Sequence, residues 1–234
     1  MIDTHCHLLF ALDDGPRTLE GSLELARRLV AEGVDTVLCT PHFSDLFATS
    51  HADATQRLAE LRPALAAEGI PLRVELAAEI GPHYALREPL DELVVRSIGG
   101  RFLLVEVQPD TPLAFFDGAA ARLAEVGLTP VFAHPERCRA VWRHPRALAP
   151  ARESGALVQI VAPSLTGSWG GGPARTAWTM LGGELVDLLG SDAHGTSRPP
   201  ELARAVQLVG DRLGDEVAAA LTESGPAQLL DAIG

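Results

Sequence analysis

The sequence predicts an α/β protein whose strands lie parallel, and three observations support this fold class. Strand and helix patterns alternate along the whole chain, without a linker, repeat or low-complexity segment. About seven strands can be distinguished, which favours closure into a barrel. Polar residues that can bind metals follow nearly every strand, whereas an open doubly wound sheet, the alternative, would collect such residues at one crevice.

The predicted strands are short apolar runs, and each ends at a residue that breaks the strand or carries a polar side chain. After the second strand, Thr40 precedes Pro41, and a residue before proline avoids helical backbone, so the chain must turn there. The first strand lies at the start of the chain, and the others are expected at 34–39, 71–78, 101–105, 129–133, 156–161 and 184–189.

The predicted helices place apolar residues three and four positions apart, as on one face of a helix. Gly33 and Gly69 follow the first two helices and supply stop signals, while Pro145 suits a first helical turn. The expected helices cover 19–30, 54–67, 86–95, 113–126, 145–153, 175–181, 200–209, 214–221 and 226–233.

The composition predicts a single globular domain that spans residues 1–234. Hydrophobic residues make up 47% and charged residues 21% of the chain, as in well-packed soluble proteins. The net charge of −12 argues against nucleic acid as a partner, since contact with phosphate backbones needs clustered Lys and Arg.

A cytoplasmic location is expected from the cysteines and from the hydropathy pattern. Cys6, Cys39 and Cys138 form neither a CxxC pair nor an even disulfide set, which indicates a reducing compartment. Met1 leads directly into a strand, so no signal peptide is expected. Prolines and glycines interrupt the uncharged stretch 154–174, so no membrane insertion is expected either.

Nine residues near the strand ends are predicted to bind metal ions together. Side chains two residues apart in a strand point to the same side, so His5 and His7 can approach one cation. Imidazole and carboxylate ligands without thiolate suit Zn, Mn or Fe, and nine ligands are enough for two or three ions. The set is His5, His7, Asp14, His42, Glu79, Glu106, His134, Asp192 and His194.

Some of these residues also have a purely structural interpretation when each is taken alone. Asp14 could be a turn residue, and Asp192 could cap a helix. The joint occurrence of nine such residues at strand ends nevertheless favours a metal cluster. The other histidines, His51, His83 and His144, lie outside this pattern and are expected to have no role in it.

A cluster of this kind predicts hydrolysis of a phosphate ester. Metal ions about 3.5–4 Å apart can activate a bridging hydroxide and stabilise an anionic transition state. Arg137 and Arg198 closely follow two of the histidines, and guanidinium groups can clamp phosphoryl oxygens. A surface arginine is the alternative in each case. Arg137, Arg198 and His42 are the residues predicted to be catalytic.

Together these motifs resemble those of the PHP (polymerase and histidinol phosphatase) superfamily. The resemblance is closest to its manganese-dependent bacterial protein-tyrosine phosphatases of capsule and exopolysaccharide operons, and it extends to about residue 209. The residues that carry it are His5-Cys6-His7, Asp13-Asp14-Gly15-Pro16, Thr40-Pro41-His42, Ala78-Glu79-Ile80, Val105-Glu106, Ala133-His134-Pro135-Glu136-Arg137 and Ser191-Asp192-Ala193-His194. Val161 departs from the pattern, because relatives commonly have Asn there.

The resemblance implies a distorted (β/α)₇ barrel with two or three divalent ions, Mn²⁺ first and Fe or Zn as alternatives. A metal-bound hydroxide would attack phosphorus in line. The substrate would be the phosphotyrosine-bearing tail of a bacterial tyrosine kinase that controls polysaccharide export, and an oligomer is compatible with this role. The implied ligand sets are His5, His7, Glu79 and Asp192 for one ion, Glu79, Glu106 and His134 for a second, and Asp14, His42 and His194 for a third.

Three other functions are alternatives to this one. A cysteine-based phosphatase needs Cys-x₅-Arg, and the residues six positions after the cysteines are Leu12, Asp45 and His144, so that mechanism is excluded. A small-molecule phosphatase, such as a histidinol-phosphate phosphatase, would use the same ligands. A non-catalytic metal-binding regulatory domain would be expected to have lost ligands, and none is visibly lost.

Overall fold

The computed structural model of the protein describes residues 1–47 and 49–234 and confirms the α/β class. Every ladder between its named strands is parallel. The strands are β1 (Ile2–Cys6), β2 (Thr36–Cys39), β3 (His42–Phe43), β4 (Arg73–Leu76), β5 (Glu79–Ile80), β6 (Phe102–Glu106), β7 (Thr129–Ala133), β8 (Leu157–Val161) and β9 (Leu188–Gly190).

Hydrogen bonding divides these strands into two sheets, with the orders β1-β2-β4 and β3-β5-β6-β7-β8-β9. The described chain thus has nine short strands instead of about seven, because the sequence analysis does not predict β3 and β5. Thr40 and Pro41 separate β2 from β3, and the ladder cannot run through Pro41, which has no N–H to donate. Ala77 and Ala78 separate β4 from β5 in the same way along the neighbouring strand.

The two sheets meet where the end of β1 approaches the end of β9. An isolated parallel bridge pairs Cys6 with Ala193. The backbone N–H of His7 donates to the Ala193 carbonyl (2.9 Å), and that of Asp192 donates to the His5 carbonyl (2.8 Å). These contacts align the two strand ends but do not form a ladder among the described residues, so the closed seven-stranded barrel stays a prediction.

The helices alternate with the strands as expected, and within the described residues none is long and apolar enough to cross a bilayer. They are α1 (Leu19–Ala31), α2 (His51–Ala67), α3 (Pro82–Arg87), α4 (Leu90–Val95), α5 (Ala114–Ala124), α6 (Arg139–Arg143), α7 (Ala149–Glu153), α8 (Ala162–Thr166), α9 (Gly171–Gly182), α10 (Leu202–Leu213), α11 (Asp215–Ala219) and α12 (Gly225–Asp231).

The helix predictions differ from the structure in three respects, and each has a local cause. The expected helix 86–95 is divided between α3 and α4, because Glu88 precedes Pro89 and has extended backbone. The predicted helix 145–153 begins as a 3₁₀ turn, Pro145–Leu148, before α7. Helices α6 and α8 were not predicted, since five residues are too few to show a helical period.

The core on the outer side of the sheet includes an aromatic cluster that joins α5 to β7. Phe116 of α5 and Phe132 of β7 are both fully buried. Their rings meet edge to face, with centroids 5.1 Å apart and an interplanar angle of 86°. Phe115 adds a second edge-on contact to Phe132, at 6.3 Å. Helix α5 is therefore fixed against the strand that leads to His134.

We expect Phe116→Ala to lower the free energy of unfolding by about 3–5 kcal/mol, because it removes buried area and leaves a cavity. Urea denaturation of the metal-free protein measures this change. Leu46→Ala is the control, since Leu46 is 81% exposed and its truncation should change the free energy by less than about 0.5 kcal/mol. Equal effects of the two substitutions would contradict the packing described above.

Candidate metal centre

All nine predicted residues lie together at the carboxyl ends of the strands. They form four overlapping groups, and within each group the potential ligand atoms lie within 4.8 Å of one another. The strand ends therefore bring together every residue of the predicted set. The groups are His7, Asp14, His42 and His194; His5, Glu79 and His134; His5, His7 and Asp192; and His42, Glu79 and Glu106.

Glu79 on β5 lies at the centre of the cluster and is fully buried. Its Oε2 is 2.9 Å from His42 Nδ1 and 3.4 Å from Nε2 of both His5 and His7. Its Oε1 is 2.9 Å from His134 Nε2. Burial alone would raise the pKa of Glu79, but the charge on His5 and His42 and a hydrogen bond from His134 hold it well below its usual value. Glu79 is therefore a carboxylate with four imidazoles around it.

His5 and His7 direct the same ring nitrogen into the cluster, and their Nε2 atoms lie 3.3 Å apart. Their other nitrogens bond outward. His5 Nδ1 is 2.8 Å from Gln159 Oε1, and His7 Nδ1 is 2.8 Å from Asp13 Oδ2. Both outer atoms are acceptors, so each Nδ1 donates its proton and each Nε2 is available as a ligand.

Burial and neighbouring charge shift the pKa values of the cluster's imidazoles in opposite directions. Burial would lower the pKa of His7, but the charge and hydrogen bond of Asp13, together with Asp192 and Glu79, raise it well above its usual value. Burial also opposes the upward shift of the His5 pKa, which follows from the charges of Glu79 and Asp192. In contrast, burial lowers the pKa of His194 to about 4, and the neighbouring charge of His7 acts in the same direction.

Asp192 connects the histidines with the two predicted arginines. Its Oδ1 lies 3.5 Å from Nε2 of both His5 and His7. Its Oδ2 lies 3.0 Å from Arg198 Nη2 and 3.8 Å from Arg137 Nη1. The structure thus places both arginines beside the cluster, where sequence alone left a surface position as the alternative. They contribute to a cleft of about 240 Å³ that His42, Glu106 and His134 also line.

Asp14 is the most exposed member of the cluster, at 44%. Its Oδ1 lies 3.1 Å from His194 Nε2 and 3.6 Å from His42 Nε2, and its Oδ2 accepts a hydrogen bond from Arg198. It closes the cluster on the solvent side. Asp14 therefore does more than form a turn, because its carboxylate faces two imidazoles and a guanidinium group.

Two members of the cluster have strained backbone. His134 and Asp192 adopt φ angles of 39° and 51°, in the left-handed region that side chains with a Cβ rarely occupy. Such conformations cost about 1–3 kcal/mol each and persist where the surrounding structure holds them. His134 directly follows β7, and Asp192 lies two residues after the end of β9, so the left-handed backbone occurs where both strands have just ended.

Unpaired buried atoms show that the cluster fits divalent cations. Among the described residues, four of its buried atoms find no hydrogen-bond partner with good geometry. In a native interior nearly all such atoms are paired, so their concentration at one place indicates ligands for cations. Imidazole nitrogens and carboxylate oxygens, without thiolate, suit manganese, iron or zinc. The four atoms are Glu79 Oε2, His42 Nδ1, His134 Nδ1 and His194 Nε2.

The sequence analysis missed three residues that support the cluster. Asp13 Oδ2 binds His7 and also accepts from the backbone N–H of His42 (2.9 Å), so it joins the β1 end to β3. Gln159 is buried in β8, where a polar residue inside an apolar strand could have indicated it. Phe47 stacks on the His42 ring, with centroids 5.2 Å apart and an interplanar angle of 5°.

The structure groups Glu106 with His42 and Glu79, and it groups His134 with Glu79 and His5. The resemblance to the PHP superfamily instead implies that Glu106 and His134 bind the same ion, together with Glu79. Glu79 belongs to both arrangements, as a bridging residue would. The distribution of the ligands among individual ions stays a prediction.

A parallel α/β fold that gathers imidazoles and carboxylates at its strand ends is typical of metal-dependent hydrolases. The chain belongs to the family described as "Capsular polysaccharide synthesis, CpsB/CapC", which matches residues 1–231. This match confirms the family resemblance that the sequence motifs indicate.

Named relatives are similar over nearly the whole chain. Tyrosine-protein phosphatase YwqE of Bacillus subtilis (strain 168) is 31% identical over 233 residues, which cover 98% of this chain and 91% of the relative. Tyrosine-protein phosphatase CpsB of Streptococcus pneumoniae is 27% identical, and the similarity covers 98% of this chain and 98% of the relative. A crystal structure from a study of YwqE and CpsB also matches, with a TM-score of 0.88 at 29% identity. The match covers 99% of this chain and 95% of the matched chain, and the study describes YwqE and CpsB as unique metal-dependent tyrosine phosphatases.

We expect binding of Mn²⁺ to release protons, and its apparent affinity to rise with pH across the neutral range. The pKa values of His5 and His7 are raised above the usual value, so protons compete with a cation for these rings up to a higher pH than on free imidazoles. A cation needs the neutral imidazoles and must displace those protons. Calorimetric titrations in two buffers with different ionisation enthalpies measure the release, and identical heats in both buffers would contradict it.

We expect Asp13→Ala to weaken Mn²⁺ binding about 10–100-fold, because His7 loses the acceptor that fixes its tautomer. The measurement is a competition titration against a chelator of known affinity. Asp211→Ala removes an exposed aspartate from α10 and should leave the affinity unchanged. An Asp13→Ala variant that binds Mn²⁺ as the wild type does would show that this outer hydrogen bond has no role.

Proposed function

We propose that residues 1–234 form one catalytic domain of a metal-dependent phosphatase that removes phosphate from phosphotyrosine. The observation that carries this proposal is the convergence of nine imidazole and carboxylate residues beside two arginines. The similarity to relatives named tyrosine-protein phosphatases supports it over nearly the full chain. We assign the metal-ligand role to the nine predicted residues and propose Mn²⁺ as the native ion, with Fe or Zn as alternatives.

The cations would supply Lewis acidity toward a phosphoryl oxygen when bound. The chain's own residues would bind the cations and orient the groups that line the cleft. His5, His7 and Asp192 would hold a cation, and His7, Asp14, His42 and His194 form a second group that would hold another. The hydrogen bonds that His5 and His7 donate to Gln159 and Asp13 fix these two imidazoles, so little reorganisation accompanies substrate binding.

Arg137 and Arg198 are placed to bind the phosphoryl oxygens of the substrate. Both side chains are one-third exposed, and each guanidinium group has planar N–H donors that match two oxygens at once. They also offset the negative charge that develops at the phosphoryl group. On the opposite side, Phe47 lies on the His42 ring and offers an aromatic surface to the phenol of a phosphotyrosine.

The biological substrate we propose is the phosphotyrosine-bearing tail of a bacterial tyrosine kinase in the cytoplasm. The family description, capsular polysaccharide synthesis, supports a role in polysaccharide export. The excess of acidic over basic residues, 31 against 19, makes nucleic acid an unsuitable partner.

The test of this proposal is hydrolysis of a phosphotyrosyl peptide by protein loaded with Mn²⁺. We expect turnover that is lost on chelation and restored by Mn²⁺, and lost in His42→Ala. His144→Ala is the matched control, because His144 is exposed and lies outside the cluster, so full activity is expected. Activity that survives chelation would overturn the metal mechanism.

The same assay distinguishes the alternative substrate class. Histidinol phosphate can be compared with the phosphotyrosyl peptide at equal concentrations of enzyme and Mn²⁺. A preference for histidinol phosphate of about tenfold or more in kcat/KM would show that the protein is a small-molecule phosphatase. Absence of turnover on both substrates, with Mn²⁺ bound, would show a non-catalytic domain.

A further inference from the structure

We propose that Trp169 is a positioning residue that holds the guanidinium groups of Arg137 and Arg198 against one indole ring. The Cζ atom of Arg137 lies 4.2 Å from the ring centroid, and that of Arg198 lies 5.7 Å from a ring centroid of the same side chain. Trp169 is the one aromatic residue that contacts both arginines in the described chain. This inference rests on the proposed function, since it assigns a role in phosphate binding.

Arg137 depends on this stacking contact more than Arg198 does. Its nearest carboxylate oxygen, Asp192 Oδ2, is 3.8 Å from Nη1, which exceeds hydrogen-bonding distance. Arg198 makes hydrogen bonds to Asp192 and Asp14, at 3.0 and 3.2 Å. The cation–π contact with the indole is therefore the contact that we expect to orient the Arg137 guanidinium.

A ring face suits this task better than a second carboxylate would. A carboxylate would occupy the N–H donors in the guanidinium plane and neutralise their charge. An aromatic face attracts the cation from above and leaves those donors free for phosphoryl oxygens. Stacking also reduces the rotamer entropy that each arginine would otherwise lose when phosphate binds.

The loop that carries Trp169 is held in place on both sides. It connects α8 to α9, and Gly167 and Gly170 adopt φ angles of 86° and 87°, which residues with a Cβ rarely adopt. The backbone N–H of Trp169 donates to the Pro163 carbonyl at 3.3 Å. The hydroxyls of Ser168 and Thr166 both donate to Glu201 Oε2, that of Ser168 at 2.8 Å.

Glu201 lies only three residues after Arg198, so these hydroxyl contacts tie the Trp169 loop to the segment that carries Arg198. On its other side the indole meets the His134 ring edge to face, with centroids 6.4 Å apart. Trp169 thus lies between the segments that follow β7 and β9. Its position lets one side chain set the separation of two like charges that would otherwise repel.

The experiment compares Trp169→Leu, which removes the aromatic face, with Trp169→Phe, which keeps a smaller one. Inorganic phosphate serves as the probe, through competitive inhibition of phosphotyrosyl peptide hydrolysis. For Trp169→Leu we expect KM and the phosphate inhibition constant to rise together about tenfold, with kcat and Mn²⁺ content nearly unchanged. Trp169→Phe should stay within about threefold of the wild type.

Trp178→Leu is the matched control, because Trp178 also stacks on an arginine, Arg212 (4.3 Å), away from the cleft. It should leave KM and phosphate inhibition unchanged. A double-mutant cycle adds a second test. Arg137→Lys should weaken phosphate binding less in the Trp169→Leu background than in the wild type, because the stacking contact is already lost. Additive effects, or unchanged inhibition by phosphate in Trp169→Leu, would overturn the proposal and leave the phosphatase function standing.

Equilibrium binding separates this proposal from the proposed function. With Trp142→Phe and Trp178→Phe, Trp169 is the sole tryptophan of the three in the sequence, and phosphate can be titrated by its fluorescence. A saturable change that Arg137→Lys weakens would support the positioning role even in a protein without turnover. A fluorescence signal that phosphate does not alter would overturn it, whether or not the protein hydrolyses phosphotyrosine.

Discussion

The buried carboxylate of Glu79 imposes the constraint on which the rest of the site depends. An ionised carboxylate in a protein interior is strongly destabilising unless opposite charge or hydrogen bonds surround it. Here four imidazoles do so, and they come from β1, from its extension at His7, from β3 and from the end of β7. The carboxyl ends of these strands must therefore lie close together, or the Glu79 carboxylate would be left without its imidazole partners. The alignment of the strands and the ionisation of the cluster thus depend on each other.

The orientation of each imidazole depends on a second layer of residues. Gln159 and Asp13 accept hydrogen bonds from His5 and His7, and the backbone carbonyl of Asp192 accepts one from His194 Nδ1 at 2.9 Å. In all three rings the outer nitrogen is occupied, which directs Nε2 inward. A set of histidines at strand ends becomes a binding site only because these acceptors fix which nitrogen faces the centre.

Strand spacing and residue type allowed the cluster to be predicted, because side chains at strand ends of a parallel sheet meet at one edge whatever the connections are. Residues without such a pattern could not be found that way. Gln159 is a polar residue within an apolar strand, but no spacing rule connects it to His5, and Trp169 lies in a glycine-rich loop without periodicity. The interruption at Pro89 divides a helix that hydropathy alone shows as continuous, because proline acts on the backbone and not on the apolar pattern.

Asp192 faces both halves of the site, since one of its oxygens lies near imidazoles and the other near guanidinium groups. On the proposed roles, occupancy of the two halves is thermodynamically linked. A cation that draws charge from this carboxylate weakens its hold on Arg198 and frees donors for phosphate. By reciprocity, phosphate must raise affinity for the cation by the same factor. Metal content and product inhibition would then vary together. At low metal concentration the protein would also bind its phosphate product more weakly.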